Sequence, residues 1–392
     1  MKKYILFFVS STCFITANLT AQTITKVAGK TMSKFGYGGD GGSALLAELP
    51  NPRSIAFDTS GNLYFTDYAC NRIRKIDKKG IIQTVVGSGD EYQPHSKTTW
   101  EGLVGGYSGD GSSARSARLY GPEYIVFDNQ NNIYFSDQNG TCIRKVSAAT
   151  GIITTIVGDG IRARDKDGSN INDNNDDGID RKLSEQSKID VRAMAIDKGG
   201  NLYVTERYLI RKINISAGTI TTVAGTGQQS FHGVNGDGGL ATNSALYYPS
   251  NVAFDNYGNW YFAESGNNVL RKVNKSGIIS TIAGVKIKEG YDPSEDIFPP
   301  NGALAKATNI PSPMSLVIDN SGDKYFLSKG KISSSSDYTK VLLKIDQNGV
   351  VKKILDLGDG QLAATDKKGN LYFFTEYSFL RYGVSIYKIS LK

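Results

Sequence analysis

One alternation of apolar and polar positions recurs along the chain. A short apolar run leads into a four-residue turn opening on Asp, and a second apolar run follows with an aromatic inside it. The copies are SIAFDTSGNLYFTD (54–67), YIVFDNQNNIYFSD (124–137), AMAIDKGGNLYVTE (193–206), NVAFDNYGNWYFAE (251–264), SLVIDNSGDKYFLS (315–328) and LAATDKKGNLYFFT (362–375). Each predicts a β-hairpin. The anchors Asp58, Asp128, Asp197, Asp255, Asp319 and Asp366 suit a turn because Asp bonds backbone two residues on. Gly61, Gly200, Gly258, Gly322 and Gly369 supply positive φ, and Asn131 stands there in the second copy.

A third strand follows every hairpin, as in RIRKID, CIRKVS, LIRKIN and VLRKVN, and a fourth follows the first five, as in IITTIVG and IISTIAG. The sixth copy reaches Lys392 before any fourth strand, while ITKVAG (24–29) matches ITTVAG (220–225). The pattern predicts an all-β, six-bladed β-propeller of four-stranded antiparallel blades over 22–392, closed by the N-terminal strand. Closure removes the long unpaired edge that an open repeat would expose.

Six copies also show which positions the architecture repeats. Tyr64, Tyr134, Tyr203, Tyr261, Tyr325 and Tyr372 fill one column, read as packing between blades with the hydroxyl on a polar partner. Second strands end in Asp67, Asp137, Glu206, Glu264, Ser328 and Glu376, and third strands carry Arg74, Arg144, Arg211, Arg271, Leu343 and Tyr387 at one position. Copy five lacks both acid and arginine, which favours ion pairs inside each blade over a ring of acids holding a cation. An Asp-Gly loop precedes most copies. Asp40, Asp110, Asp237 and Asn301 each lie 18 residues before their anchor, and Asp177 lies 20 before. That constancy reads as a structural turn.

These residues resemble the NHL repeat family, notably its bacterial and teneurin-like extracellular members: Gly-Asp-Gly-Gly, a short Ala/Leu segment, Pro, apolar-Asp-x-x-Gly-Asn-Leu-Tyr, then Arg-Lys-Val and Thr-Val-Ala-Gly. The resemblance covers nearly the whole chain after residue 21. It implies the propeller fold but no single activity, since propellers host unrelated functions. Amidating-lyase relatives use histidines around zinc, whereas this chain has only His95 and His232, both between blades. Lactonase-like propellers hold a divalent cation near the axis, to which Glu123 and Asn251 are the available contributors.

Composition changes the picture in two places. The 44 glycines among 392 residues exceed the usual share of about 7%, and most fall in the turns just described. Residues 1–21 read as a secretory signal peptide, with Lys2 and Lys3, an apolar run from Tyr4 to Ile15 and cleavage after Ala21. The net charge is +7, from 45 basic and 38 acidic residues, and the surplus lacks the clustering of a nucleic-acid binder. No other stretch is long and apolar enough for a membrane helix. Cys13 falls in the signal, which leaves Cys70 and Cys142, read as free or buried thiols. Secretion or a periplasmic location follows, with no nucleic-acid partner and no transmembrane segment.

Candidate chemistry lies where the copies differ. Five residues before each anchor, where the chain enters the central channel, stand Arg53, Glu123, Arg192, Ser250, Met314 and Gln361. This heterogeneous column reads as a binding surface, in which two arginines suit a carboxylate or phosphate; pairing of Arg53 or Arg192 with Glu123 is the structural alternative. In the long loop before copy three, Asp173-x-Asn175-x-Asp177-Gly178 resembles half of an EF-hand calcium loop, although position 12 is Ser184. The reading is a binding or interaction module for a protein, peptide or glycan through the loops between blades. The alternative is a divalent-metal-dependent lactonase- or lyase-like enzyme.

Overall fold

In a computed structural model, the described residues are 23–32, 37–89, 108–137, 141–159, 181–183, 189–228, 236–285, 297–331, 338–358, 360–375 and 383–391. Six antiparallel sheets follow one another around a ring. Blade 1 comprises Pro52–Phe57, Leu63–Asp67, Arg72–Ile76 and Ile82–Val86. Blade 2 comprises Ile125–Phe127, Ile133–Asp137, Cys142–Val146 and Ile153–Val157. Blade 3 comprises Ala193–Ile196, Leu202–Thr205, Ile210–Asn214 and Thr219–Ala224, with Arg181–Lys182 as a short fifth strand on its outer edge. Blade 4 comprises Pro249–Phe254, Trp260–Glu264, Val269–Val273 and Ile279–Ala283. Blade 5 comprises Pro313–Ile318, Lys324–Lys331, Tyr338–Ile345 and Val351–Gly358.

Blade 6 takes three strands from the C-terminal end, Gln361–Thr365, Leu371–Phe374 and Ile386–Ser390, and its outermost strand from Thr23–Ala28. Ile24 stands opposite Ile389 in that pairing. The first strand of each blade packs against the first strands of its two neighbours, blade 6 against blade 1 included. The propeller is therefore closed as the repeats imply.

The core consists of six apolar wedges, one between each adjacent pair of blades. Leu63 and Phe65 face the wedge with blade 6, whereas Tyr64 on the opposite face joins the wedge with blade 2. Both faces of a blade are buried, which is why the strands read as near-continuous apolar runs.

Each hairpin is organised by its anchor. One carboxylate oxygen of Asp128 accepts the Asn132 N–H at 2.8 Å, while the other accepts the Asn132 amide at 2.7 Å and the Tyr134 hydroxyl at 3.1 Å. The tyrosine hydroxyls of blades 1, 2, 4 and 6 thus donate to their anchors. The Asp-Gly loops run along the outermost strand of the following blade: Gly41 donates to Ile82 O, Ile82 to Gly42 O and Ala44 to Gly80 O. That contact covers an otherwise free sheet edge. Glycine ends the fourth strands for a steric reason. At Gly158, with φ +86, a Cβ would lie 2.3 Å from the Thr141 carbonyl oxygen. Cys70 and Cys142 are buried free thiols. No helix among the described residues is long and apolar enough to cross a membrane.

Candidate functional site

Inner strands all begin on one face of the ring, the face that also carries the turns between second and third strands. The heterogeneous column lies there. Arg53 is the second residue of its strand, and its guanidinium sits 5.1 Å from the centre of the Tyr68 ring. Glu123 is fixed through its backbone: its N–H donates to Ser136 O at 3.2 Å, and its carbonyl accepts the Thr66 hydroxyl at 2.8 Å. Arg192 Nε reaches Asp190 at 2.9 Å. Arg192 thus pairs with Asp190, two residues away on the same chain segment, and not with Glu123 as the structural alternative had it. Arg53 makes no ion pair among the described residues.

These charges share one neighbour, the partly buried Tyr124. Burial raises the pKa of its hydroxyl most; Glu123 raises it further, Arg53 and Arg192 oppose, and Asp190 adds to the rise. Two arginines and two carboxylates from the inner-strand starts of blades 1, 2 and 3 thus act electrostatically on one phenol. The other column members do different things. Ser250 Oγ donates to Ala263 O at 3.4 Å, Met314 packs into the wedge between blades 5 and 6, and Gln361 opens the inner strand of blade 6.

In blades 1, 2 and 4 the acidic column is committed to arginine. In blade 2 the fully buried Arg144 reaches Asp137 at 3.2 Å and Asp110 of the Asp-Gly loop at 2.7 Å. Two carbonyls, of Arg118 and Ser108, take further N–H bonds. Arg271 repeats this with Glu264 at 3.0 Å and Asp237 at 2.9 Å. Arg74 lies 2.8 Å from Asp40 and 3.8 Å from Asp67. The Asp-Gly loop is therefore more than a turn, because its Asp supplies a second carboxylate to an arginine 34 residues further on. Burial pushes the Asp67 carboxyl up to about 6 against the pull of Arg74. Asp40 is also raised by burial, yet the donors Tyr37, Thr84 and Arg74 bring it below the usual carboxylate range.

Among the described residues, no three His, Cys, Asp or Glu side chains are grouped to hold a metal ion. Asn251 donates its amide to Leu316 O at 3.3 Å. Asp173, Asn175 and Asp177 lie outside the described residues, as do Glu376, His95, His232 and the signal segment. The sequence did not single out Tyr124, Asp190 or Tyr68, nor a cluster of Arg207, Tyr208, Tyr247 and Tyr248 on the same face. Only the Tyr-Tyr pair directly before Pro249 offered a signal.

The Teneurin NHL domain family matches residues 28–100 and 105–169. Teneurin-1 of Gallus gallus is 28% identical over 293 residues, covering 70% of this chain and 10% of that protein. Teneurin-m of Drosophila melanogaster is 26% identical over 303 residues, covering 63% and 10%. The chain spans about a tenth of the length of these relatives. Among solved structures, a protein of unknown function from Bacteroides thetaiotaomicron superposes with a TM-score of 0.54 at 16% identity, covering 94% of this chain and 76% of that one.

Proposed function

This chain is an NHL-repeat propeller, and from that premise we propose that it is a binding module, exported from the cytoplasm, that takes a protein, peptide or glycan on the face carrying its inter-blade loops. The observation that carries the reading is that Arg53, Glu123 and Arg192 stand where three successive inner strands begin on one face, with Arg192 held on Asp190 at 2.9 Å. Elsewhere the blades repeat their anchor Asp and tyrosine in every copy. At the inner-strand mouths no such set recurs, and charge appears where packing does not demand it. Loops on a rigid frame are the usual place for recognition.

Export rests on residues 1–21, and calcium enters only through Asp173, Asn175 and Asp177. The test is to probe peptide and glycan arrays with the protein lacking residues 1–21, alongside Arg53→Ala and Arg192→Ala. Retained ligands whose affinity falls at least tenfold in both variants support the module. Calcium-dependent turnover of a lactone or ester by the same preparation would replace it with the lactonase- or lyase-like enzyme.

A further inference from the structure

Seven residues before the anchors, the sequence carries Asn51, Gly121, Asp190, Tyr248, Ser312 and Asp359. Five are turn formers. The sixth is a tyrosine, and its backbone is left-handed, with φ +50. Gly121 at φ +62 and Ser312 at φ +37 share positive φ in this column; glycine adopts it without steric cost, whereas a side chain as bulky as tyrosine is strained there. Strain of this kind persists only where the surroundings impose it, and it concentrates at functional sites.

The surroundings do impose it. Tyr248 N–H donates to Arg207 O at 3.1 Å, and Tyr248 O accepts both the N–H of Ser265 at 3.3 Å and its hydroxyl at 3.1 Å. Tyr247 N–H donates to Glu264 at 2.9 Å, and its ring lies on Gly266, where a Cβ would come within 2.2 Å of it. The result is an ordered, partly exposed group of three tyrosines. Ring centres lie 4.7 Å apart for Tyr247 and Tyr248, and 6.4 Å apart for the near-parallel Tyr208 and Tyr247. Arg207 stands over Tyr208 at 5.2 Å and over Tyr248 at 5.6 Å, and donates to the Tyr248 hydroxyl at 3.1 Å. No carboxylate pairs with Arg207 among the described residues. Arg192 approaches the Tyr248 ring from the channel side at 5.7 Å, which joins this group to the charges around Tyr124.

We infer that Arg207, Tyr208, Tyr247 and Tyr248 form the anchor subsite of the binding face, and that its ligand is an acidic side chain on a peptide segment of a protein partner. This rests on the loop-face reading and deepens it. The cation of Arg207 has only neutral partners, so a carboxylate completes its fork. Tyrosine and arginine supply the anchors of protein interfaces because they offer large contact area at little entropic cost. A sugar needs an open aromatic face. Here the guanidinium stands between Tyr208 and Tyr248 at 5.2 and 5.6 Å from their ring centres and the Tyr247 ring rests on Gly266, so the group offers hydroxyls and a guanidinium fork to a peptide carboxylate.

The experiment measures binding of a nonapeptide library with a fixed central Glu, the same library with central Gln, and oligogalacturonate. The proteins are the parent, Arg207→Gln, Tyr248→Gly and Arg53→Ala, each with its melting temperature. The expected result is at least tenfold preference for Glu over Gln, lost in Arg207→Gln and Tyr248→Gly, with Tyr248→Gly melting at or above the parent. A tyrosine kept for structure alone gives the opposite pair, a lower melting temperature and unchanged binding, and overturns the inference. Binding lost in Arg53→Ala but intact in Arg207→Gln and Tyr248→Gly overturns the subsite while sparing the loop face. Binding of oligogalacturonate alone overturns the peptide partner, and no binding of any probe overturns both readings.

Discussion

Blades 2 and 5 solve one packing problem with opposite chemistry. Blade 2 buries Arg144 between Asp137 and Asp110; blade 5 buries Leu343 in the same place, with Ser328 and Asn301 at the acidic positions. The substitutions are coordinated. Asp137 also accepts the backbone N–H of Tyr120, 17 residues earlier, at 2.8 Å. In blade 5 the residue 17 before Ser328 is Pro311, which has no N–H to offer, and the Ser328 hydroxyl donates to its carbonyl instead. Asn301 keeps the remaining duty of the loop Asp: it accepts the Lys353 N–H at 2.6 Å, as Asp110 accepts that of Thr155 at 2.7 Å. The propeller thus needs the loop acceptor and a filled core, while the ion set is one of two ways to fill it.

The largest effect should come from breaking one set without replacing it. Arg144→Ala removes the arginine paired with the fully buried Asp137 and opens a cavity, and should cost about 3–5 kcal/mol in urea unfolding. Replacing the whole set by that of blade 5 should cost far less. The triple change Asp137→Ser, Arg144→Leu and Asp110→Asn should fall within about 2 kcal/mol of the parent, since apolar replacement of buried ion sets is often neutral. Tyr120 N–H loses its acceptor, so a small loss is expected. A triple variant as unstable as Arg144→Ala would show that the two blades are not interchangeable.

The pH dependence separates the two carboxylates of one arginine. Asp67, raised to about 6, keeps in the folded state a proton that the unfolded chain has released above roughly pH 4. Its contribution to stability is present below that pH and declines as pH rises through 6. Asp40 is depressed, so its contribution is present above roughly pH 4 and is lost on further acidification. Denaturant titrations between pH 3 and 8 should therefore show Asp67→Asn gaining on the parent as pH rises, and Asp40→Asn closing its deficit as pH falls. Parallel curves for the two variants would remove the distinction. Blade 5, with Ser328 and Asn301, feeds neither slope.

The comparison also marks how far sequence reasoning reached. The six hairpins were legible because each is a local device, with Asp58 and Gly61 three residues apart and Tyr64 close behind. The pairing of acid with arginine was legible because Asp137 and Arg144 flank a single turn. The role of Asp110 was not, since 34 residues and a change of strand separate it from Arg144; equal spacing showed that the loop mattered without showing what it touched. At the channel mouth, Arg53, Glu123 and Arg192 were found by their irregularity. Tyr124 and Asp190 stand one and two residues from Glu123 and Arg192 but belong to no repeated column, so only the closed ring relates them to Arg53 on another blade. Nothing in the letters Tyr-Tyr-Pro states that Tyr248 has positive φ.

The smallest effect isolates the one feature that both blades keep. Asn301→Ala removes the acceptor for Lys353 N–H without touching a buried charge, because Leu343 asks for none. The loss should be about 1 kcal/mol, the usual net value of one hydrogen bond, and should not change between pH 5 and 8. Asn301→Asp keeps the acceptor and adds a charge at an exposed site, so its stability should lie within about 0.5 kcal/mol of the parent. If Asn301→Asp proved as costly as Asn301→Ala, the loop acceptor in blade 5 would have to be neutral. The Asp of the other blades would then be there for arginine alone, and the two roles that Asp110 combines would belong to different evolutionary choices rather than to one side chain used twice.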